Sequence, residues 1–252
     1  MKKTKRILQN DTAKAAVPFP GVAKAANQSP GGTQSGTGTI LSSDTDIPDV
    51  IRKTADSRLG CVIMAAGNSR RFGKNKLNVL INGKPMLEYI FKAVPTEKLH
   101  SVCVVTQYDE AETLASLYDF RCIRNDRPED GLSYTIKLGT KALSKECDAI
   151  LYMVADQPLL TQGSVAGLIN LYLKNPGHIV SASSGGQRGN PCIFPKKYFP
   201  SLEGLTGDTG GSRIIRKHID DLILFEIPER ELCDADTPEA LRRIEDYPLF
   251  LE

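Results

Sequence analysis

The stretch Ile63-Met64-Ala65-Ala66-Gly67-Asn68-Ser69-Arg70-Arg71-Phe72-Gly73-Lys74-Asn75-Lys76 decides how the rest of the chain is read, because an apolar run with strand character breaks into a loop bearing glycines and cations. Backbone N–H groups at the end of a strand are unpaired and can meet phosphate oxygens. Gly67 and Gly73 permit close approach, and Arg71 and Lys76 bring positive charge. The combination suits a nucleoside triphosphate. It is not a Walker loop, which places four residues between the glycines and then Lys and Ser or Thr; here five residues separate Gly67 from Gly73, and Lys74 precedes Asn75. The loop does not read GxGxxG either, which disfavours a Rossmann dinucleotide site.

Outward from this loop, apolar strand-like runs alternate with helical segments from Gly60 to the end, the pattern of an α/β domain with a mostly parallel sheet flanked by helices. Strands are expected at 61–65, 101–106, 121–124, 149–154, 179–183, 191–194 and 222–226. Helices are expected at 85–94, 111–118, 133–143, 164–173 and 211–218, with a last one running through Leu241 and Ile244. Residues 1–59 are rich in Ala, Gly, Ser, Thr, Pro and Asn and lack core-forming periodicity from Asn27 to Ser43, so they are expected to be a flexible, disordered N-terminal tail, with a short helix at 49–57 able to dock on the domain. The domain itself is placed at 60–252.

Of the 252 residues 40% are hydrophobic and 25% charged, ordinary for a globular protein. The net charge of +2, without a basic block in the body of the chain, argues against a nucleic-acid partner. No apolar run reaches the length of about 18 residues that a membrane span requires, and the basic start Met1-Lys2-Lys3 leads into no signal-like segment. Six cysteines scattered singly, mostly in apolar runs, read as buried free thiols of a cytoplasmic protein.

Leu151-Tyr152-Met153-Val154-Ala155-Asp156-Gln157-Pro158 brings a carboxylate to the end of a hydrophobic strand just before a proline turn. Facing a triphosphate loop, Asp156 suits Mg²⁺, which takes one or two carboxylates together with substrate phosphates and water; alternatively, it caps a turn or the helix that begins near Thr161. In Asp234-Ala235-Asp236-Thr237-Pro238-Glu239, an extended backbone would put Asp234 and Asp236 on one side, one completing a metal site and the other orienting it, with simple helix capping as the alternative.

Two glycine-rich loops, 183–191 and 207–212, can close over a second substrate, with Arg188 gripping a phosphate, or serve as turns. The run 125–133 leads into a helix whose N-terminus can meet ribose or phosphate, or be capped in the ordinary way. His100, His178 and His218 have no triad or metal-ligand spacing, so the chemistry is expected to be positioning and charge neutralisation.

Ala65-Ala66-Gly67-x-Ser69-x-Arg71-Phe72-Gly73-x-x-Lys76, Asp156-Gln157-Pro158-Leu159-Leu160 and Asp236-Thr237-Pro238-Glu239 together resemble the molybdenum cofactor nucleotidyltransferase family, and its cytidylyltransferase branch in particular. The likeness continues through Gly131-Leu132-Ser133, Arg188-Gly189-Asn190-Pro191 and Gly207-Asp208. The resemblance implies a Rossmann-like nucleotidyltransferase fold, CTP and molybdopterin as substrates, Mg²⁺ as cofactor and a molybdenum hydroxylase as client.

It also implies roles for residues. Arg71, Lys76 and Asp156 would be catalytic; Ala65, Ala66, Gly67, Ser69, Arg71, Lys76, Asn125, Gly131 and Ser133 would bind nucleotide; Asp156 and Asp236 would hold the metal; Arg188, Asn190 and Asp208 would bind the acceptor. Ala155, Tyr134-Thr135 and Asn190 depart from the family pattern, which bears on the acceptor more than on the reaction. Two other readings remain open: a nucleotidyltransferase using GTP, or a sugar or alcohol phosphate as acceptor, and a non-catalytic adaptor that binds nucleotide or cofactor.

Overall fold

The computed structural model describes residues 57–68 and 75–247. The expected tail lies outside these residues except for its last three positions, as do all but the last residue of the expected helix at 49–57 and the loop residues Ser69, Arg70, Arg71, Phe72, Gly73 and Lys74. The first strand begins at Leu59, one residue before the expected domain start.

Nine strands are present among the described residues: β1 (Leu59–Ala65), β2 (Leu80–Ile81), β3 (Lys84–Pro85), β4 (Ser101–Thr106), β5 (Arg121–Arg124), β6 (Ala149–Val154), β7 (Ile179–Ser184), β8 (Gln187–Pro195) and β9 (Leu222–Glu226). The helices are α1 (Met86–Lys92), α2 (Asp109–Leu117), α3 (Leu132–Leu143), α4 (Gln162–Lys174), α5 (Phe199–Glu203), α6 (Ser212–Lys217) and α7 (Pro238–Glu245). Seven strands form one sheet in the order β5-β4-β1-β6-β8-β7-β9, and β2 with β3 makes a separate hairpin turned by Asn82 and Gly83, both at positive φ. Only β8 runs against its neighbours β6 and β7, so the sheet is mostly parallel, as expected.

Both faces of the sheet are covered, and the strands show why. Leu59, Cys61, Ile63 and Ala65 of β1 join Leu151 and Met153 of β6 in one core with Phe91 of α1 and Ile169 of α4. The alternate residues Val62, Ile150 and Tyr152 join a second core with Ile136 of α3 and Phe194 of β8. Successive side chains of a strand point to opposite faces, so near-continuous apolar strands require a helical layer on each side. The expected strands at 191–194 and 179–183 extend to 187–195 and 179–184, because pairing across the β7–β8 hairpin carries polar residues into the ladder.

Of the cysteines, Cys61, Cys103, Cys147 and Cys192 are buried; Cys122 is only partly so and Cys233 is exposed, against the expectation of burial. No helix of the described residues is long and apolar enough to cross a membrane.

Candidate active site

β1, β4 and β6 run parallel and end side by side, which gathers their outgoing loops at one edge of the sheet, the usual ligand position in such folds. The loop leaving β1 is pinned by the segment leaving β4. Thr106 Oγ1 donates to the Ala65 carbonyl at 3.0 Å, Gln107 Nε2 to the Ala66 carbonyl at 2.9 Å, and the Tyr108 hydroxyl to the Gly67 carbonyl at 2.7 Å. Gln107 Nε2 also donates to Asn68 Oδ1 at 3.0 Å. Sequence reasoning missed these three supports; their signal was only their position at the end of a parallel strand.

Ala65, Ala66, Gly67, Lys76, Asp156 and Asp236 all line one cavity of about 610 Å³ at this edge. Lys76 opens a short 3₁₀ turn anchored by Asn75, whose side chain accepts from the Leu77 N–H, and by the buried side chain of Leu77. Its ammonium donates to Asp156 Oδ2 and to Asp236 Oδ1, each at 2.7 Å. Burial works against the charge on Lys76, yet the two carboxylates outweigh it and hold its pKa above the ordinary lysine value. Asp156 does not cap α4: Thr161 does so itself, its hydroxyl accepting from the Ser164 N–H at 3.2 Å.

Asp234 and Asp236 part company, contrary to the expectation of a shared side. Asp236 turns to Lys76, whereas Asp234 Oδ1 accepts from Gln157 Nε2 at 2.9 Å and faces a second cavity, of about 720 Å³. Although Asp234 as a residue is exposed, burial of its carboxyl, followed by the nearby Asp156 charge, pushes its pKa up to about 6. The segment carrying both aspartates is tied down at several points. The Ala235 N–H donates to the Asp156 carbonyl at 2.8 Å, and the buried Glu231 Oε2 accepts from the Thr161 N–H at 3.0 Å and its hydroxyl at 3.1 Å. Thr237 caps α7 with Pro238 in the first turn, so the capping expected for this motif is present beside the Lys76 contact.

The three expected acceptor residues divide between the cavities. Arg188 and Asn190, on β8, line the second cavity with Gln157 and Asp234, whereas Asp208 lines the first. Asp208 Oδ1 accepts the Leu132 N–H at 3.3 Å and the Gly207 carbonyl accepts the Ser133 N–H at 3.2 Å. The N-terminus of α3, expected to meet ribose or phosphate, is thus capped by the 207–208 loop. Gly131 makes this docking possible: its φ is +81°, and a Cβ there would stand 2.9 Å from the Gly207 and Asp208 backbone.

Asn125 and Ser133 do not line either cavity. The buried Asn125 bonds Thr135 Oγ1 at 3.1 Å and the Arg127 N–H at 3.0 Å, shaping the turn, and Ser133 Oγ donates to the Asp130 carbonyl at 3.4 Å. Of the glycine-rich loop at 183–191, Gly185 and Gly186 form the β7–β8 hairpin turn, both at positive φ, held by Glu226, which accepts from Ser183 Oγ at 2.6 Å and from the Gly186 N–H at 3.2 Å. No group of three or more His, Cys, Asp or Glu among the described residues is placed to hold a metal. Asp156 and Asp236 form a two-carboxylate pair.

Residues 61–222 match the model of the MobA-like NTP transferase domain. The chain belongs to this family. It is accordingly a nucleotidyltransferase of the MobA-like kind. The purine catabolism protein PucB of Bacillus subtilis is 30% identical over 190 residues, covering 71% of this chain and 91% of that protein. A probable molybdenum cofactor guanylyltransferase of Thermococcus gammatolerans is 30% identical over 117 residues, covering 45% and 56%. A nucleotidyl transferase structure from Methanothermobacter thermautotroptrophicus superposes with a TM-score of 0.63 at 21% identity, over 75% of this chain and 96% of its own, a likeness of fold. The MobA-like match ends at residue 222, so Asp234 and Asp236 are brought to the site by a segment beyond it.

Proposed function

We propose that the chain transfers CMP from CTP to the terminal phosphate of molybdopterin, with Asp156 and Asp236 holding Mg²⁺. A phosphate oxygen of the acceptor attacks the α-phosphorus, the bond to the β-phosphate oxygen breaks, and pyrophosphate leaves. The observation that carries this reading is the Lys76 ammonium bracketed by two carboxylates in the cavity rimmed by Ala65, Ala66 and Gly67.

Fit to a divalent ion can be judged from the donor set: hard carboxylate oxygens converging on a point already held by a cation suit Mg²⁺, which needs only one or two carboxylates beside substrate phosphates. When bound, the ion neutralises charge on the phosphates and helps align them for in-line displacement. The chain's own residues do the rest. Lys76 stabilises the charge that develops at the α-phosphate, the Gly67 loop with Ser69 and Arg71 cradles the triphosphate, and the pinning by Gln107 and Tyr108 sets the loop before substrate arrives. Arg188 and Asn190 take the acceptor in the second cavity, and a molybdenum hydroxylase receives the product. Residues 60–252 form the catalytic domain in this reading.

The relative named as a molybdenum cofactor guanylyltransferase favours a second reading with GTP as donor. Pyrophosphate release with Mg²⁺ and molybdopterin, run in parallel with CTP, GTP and ATP, tests both. Turnover with CTP is the expected result, turnover with GTP alone moves the donor to guanylyl transfer, and silence with all three overturns molybdopterin as acceptor.

A further inference from the structure

The seven-strand sheet ends in β5 on one side and β9 on the other, and the two edges are defended differently. β5 begins and ends with arginines, Arg121 paired to Glu146 and Arg124 to Asp109 and Glu112. Charged side chains on an edge strand discourage pairing with another chain. β9 reads Leu222-Ile223-Leu224-Phe225-Glu226, without lysine, arginine or proline, and among the described residues no strand pairs with its outer side. Leu224, at its centre, is 39% exposed, and Ile219, just before it begins, is 51% exposed.

The ladder with β7 fixes which backbone groups of β9 face outward. Glu226 stands opposite Ser183, and the Ile227 N–H donates to the Ser183 carbonyl at 2.8 Å. Alternate residues of a strand turn both backbone groups to the same side, so Ile223, Phe225 and Ile227 face β7 while Leu222, Leu224 and Glu226 face away from it. The Leu222 N–H is already used within its own turn, on the Ile219 carbonyl. Ile223 and Phe225 pack against the first core, so the Leu224 side chain lies on the opposite face of the sheet.

We propose that a second copy of this chain pairs its β9 antiparallel to this one, about a two-fold axis at Leu224, joining the two sheets into one. The N–H and carbonyl of Leu224 bond those of Leu224 in the other copy, and each Glu226 N–H meets the other copy's Leu222 carbonyl. This register opposes Leu224 to Leu224 and Glu226 to Leu222, so no two like charges face each other. The Glu226 carboxylate is in any case engaged by Ser183 Oγ and the Gly186 N–H of its own copy.

Charge along the edge selects the antiparallel arrangement. Where the chain enters β9, Arg216 and Lys217 outweigh Asp220, and Lys197 offsets Asp221. Where it leaves, Glu226 and Glu229 outweigh Arg230. Antiparallel pairing of identical strands sets each end against its opposite; parallel pairing sets like against like. The inference depends on neither the donor nor the acceptor of the proposed reaction.

The test is sedimentation velocity of the full chain, without nucleotide or metal, across a wide range of concentration. A monomer–dimer equilibrium is expected, with Leu224→Lys raising the dissociation constant by about tenfold or more while the far-ultraviolet circular dichroism spectrum stays native. Leu224→Cys in a Cys233→Ser background is expected to form a disulfide between copies under mild oxidation, because directly opposed residues of such a pair have Cα atoms about 5.5 Å apart. Hydrogen exchange supplies a readout that needs no variant: the Leu224 and Glu226 amides are expected to be protected at high concentration and to lose protection on dilution, while the Ile227 amide stays protected throughout.

A monomer at every concentration overturns the proposal. So does a dimer that Leu224→Lys leaves intact and Leu224→Cys does not cross-link, since its interface lies elsewhere, and so does exchange at Leu224 and Glu226 that is independent of concentration.

Discussion

The two cavities sit at the same edge of the same sheet and differ in how their charges are arranged. In the first, a lysine is held between two aspartates at 2.7 Å, so each charged group touches an opposite charge before any ligand arrives. In the second, the guanidinium of Arg188 and the carbonyl of Gln157 each have a buried atom with no partner. Charges already in contact in a partly buried site suit preorganised electrostatic stabilisation, where no reorganisation is needed at the moment of reaction. In the proposed reading, this difference assigns the reacting phosphates to the first cavity and the body of the acceptor to the second.

The largest test of this contrast is Asp156→Ala and Asp236→Ala. Either is expected to lower pyrophosphate release by on the order of a hundred- to a thousandfold, with a native far-ultraviolet circular dichroism spectrum. Full activity in both would end the assignment of the first cavity to chemistry.

Next come changes to the pieces that bring the cavities together. Gly131→Ala forces a side chain onto a backbone at φ +81° and ψ −168° against the 207–208 loop, and is expected to cost about 1–3 kcal/mol of stability in denaturant titration. Glu231→Ala leaves the Thr161 N–H and hydroxyl without their shared acceptor, with an expected cost of about 1–3 kcal/mol in the same measurement. An unchanged midpoint in Glu231→Ala would show that the segment carrying Asp234 and Asp236 is held by its other contacts.

The smallest effect is expected for Tyr108→Phe. It removes one hydrogen bond to the Gly67 carbonyl and is expected to weaken nucleotide binding by about 0.5–1.5 kcal/mol in calorimetry, leaving affinity for phosphorylated ligands of the second cavity unchanged.

The alternation of Val62 with Cys61 and Ile63, and of Ile150 and Tyr152 with Leu151 and Met153, made a two-faced parallel sheet legible from the chain alone. So did the positions of Gly67 and Asp156, because a strand that ends in a loop delivers its next few residues to the sheet edge whatever else the fold does. These are local consequences of backbone geometry and side-chain period. Three outcomes depended on residues distant in sequence and had no local signal. The α3 N-terminus was capped by a loop some 75 residues later, as the 76-residue separation of Leu132 and Asp208 records. Asp234 and Asp236 were sent to different cavities by Gln157 and Lys76. Arg188 and Asn190 were separated from Asp208 because β8 runs antiparallel between β6 and β7 while the 207–208 loop docks on Gly131. Period and strand ends determined the fold and the strand-end wall of the first cavity; hydrogen bonds across long loops, which only the assembled chain can choose among, decided the rest of the first cavity and the second.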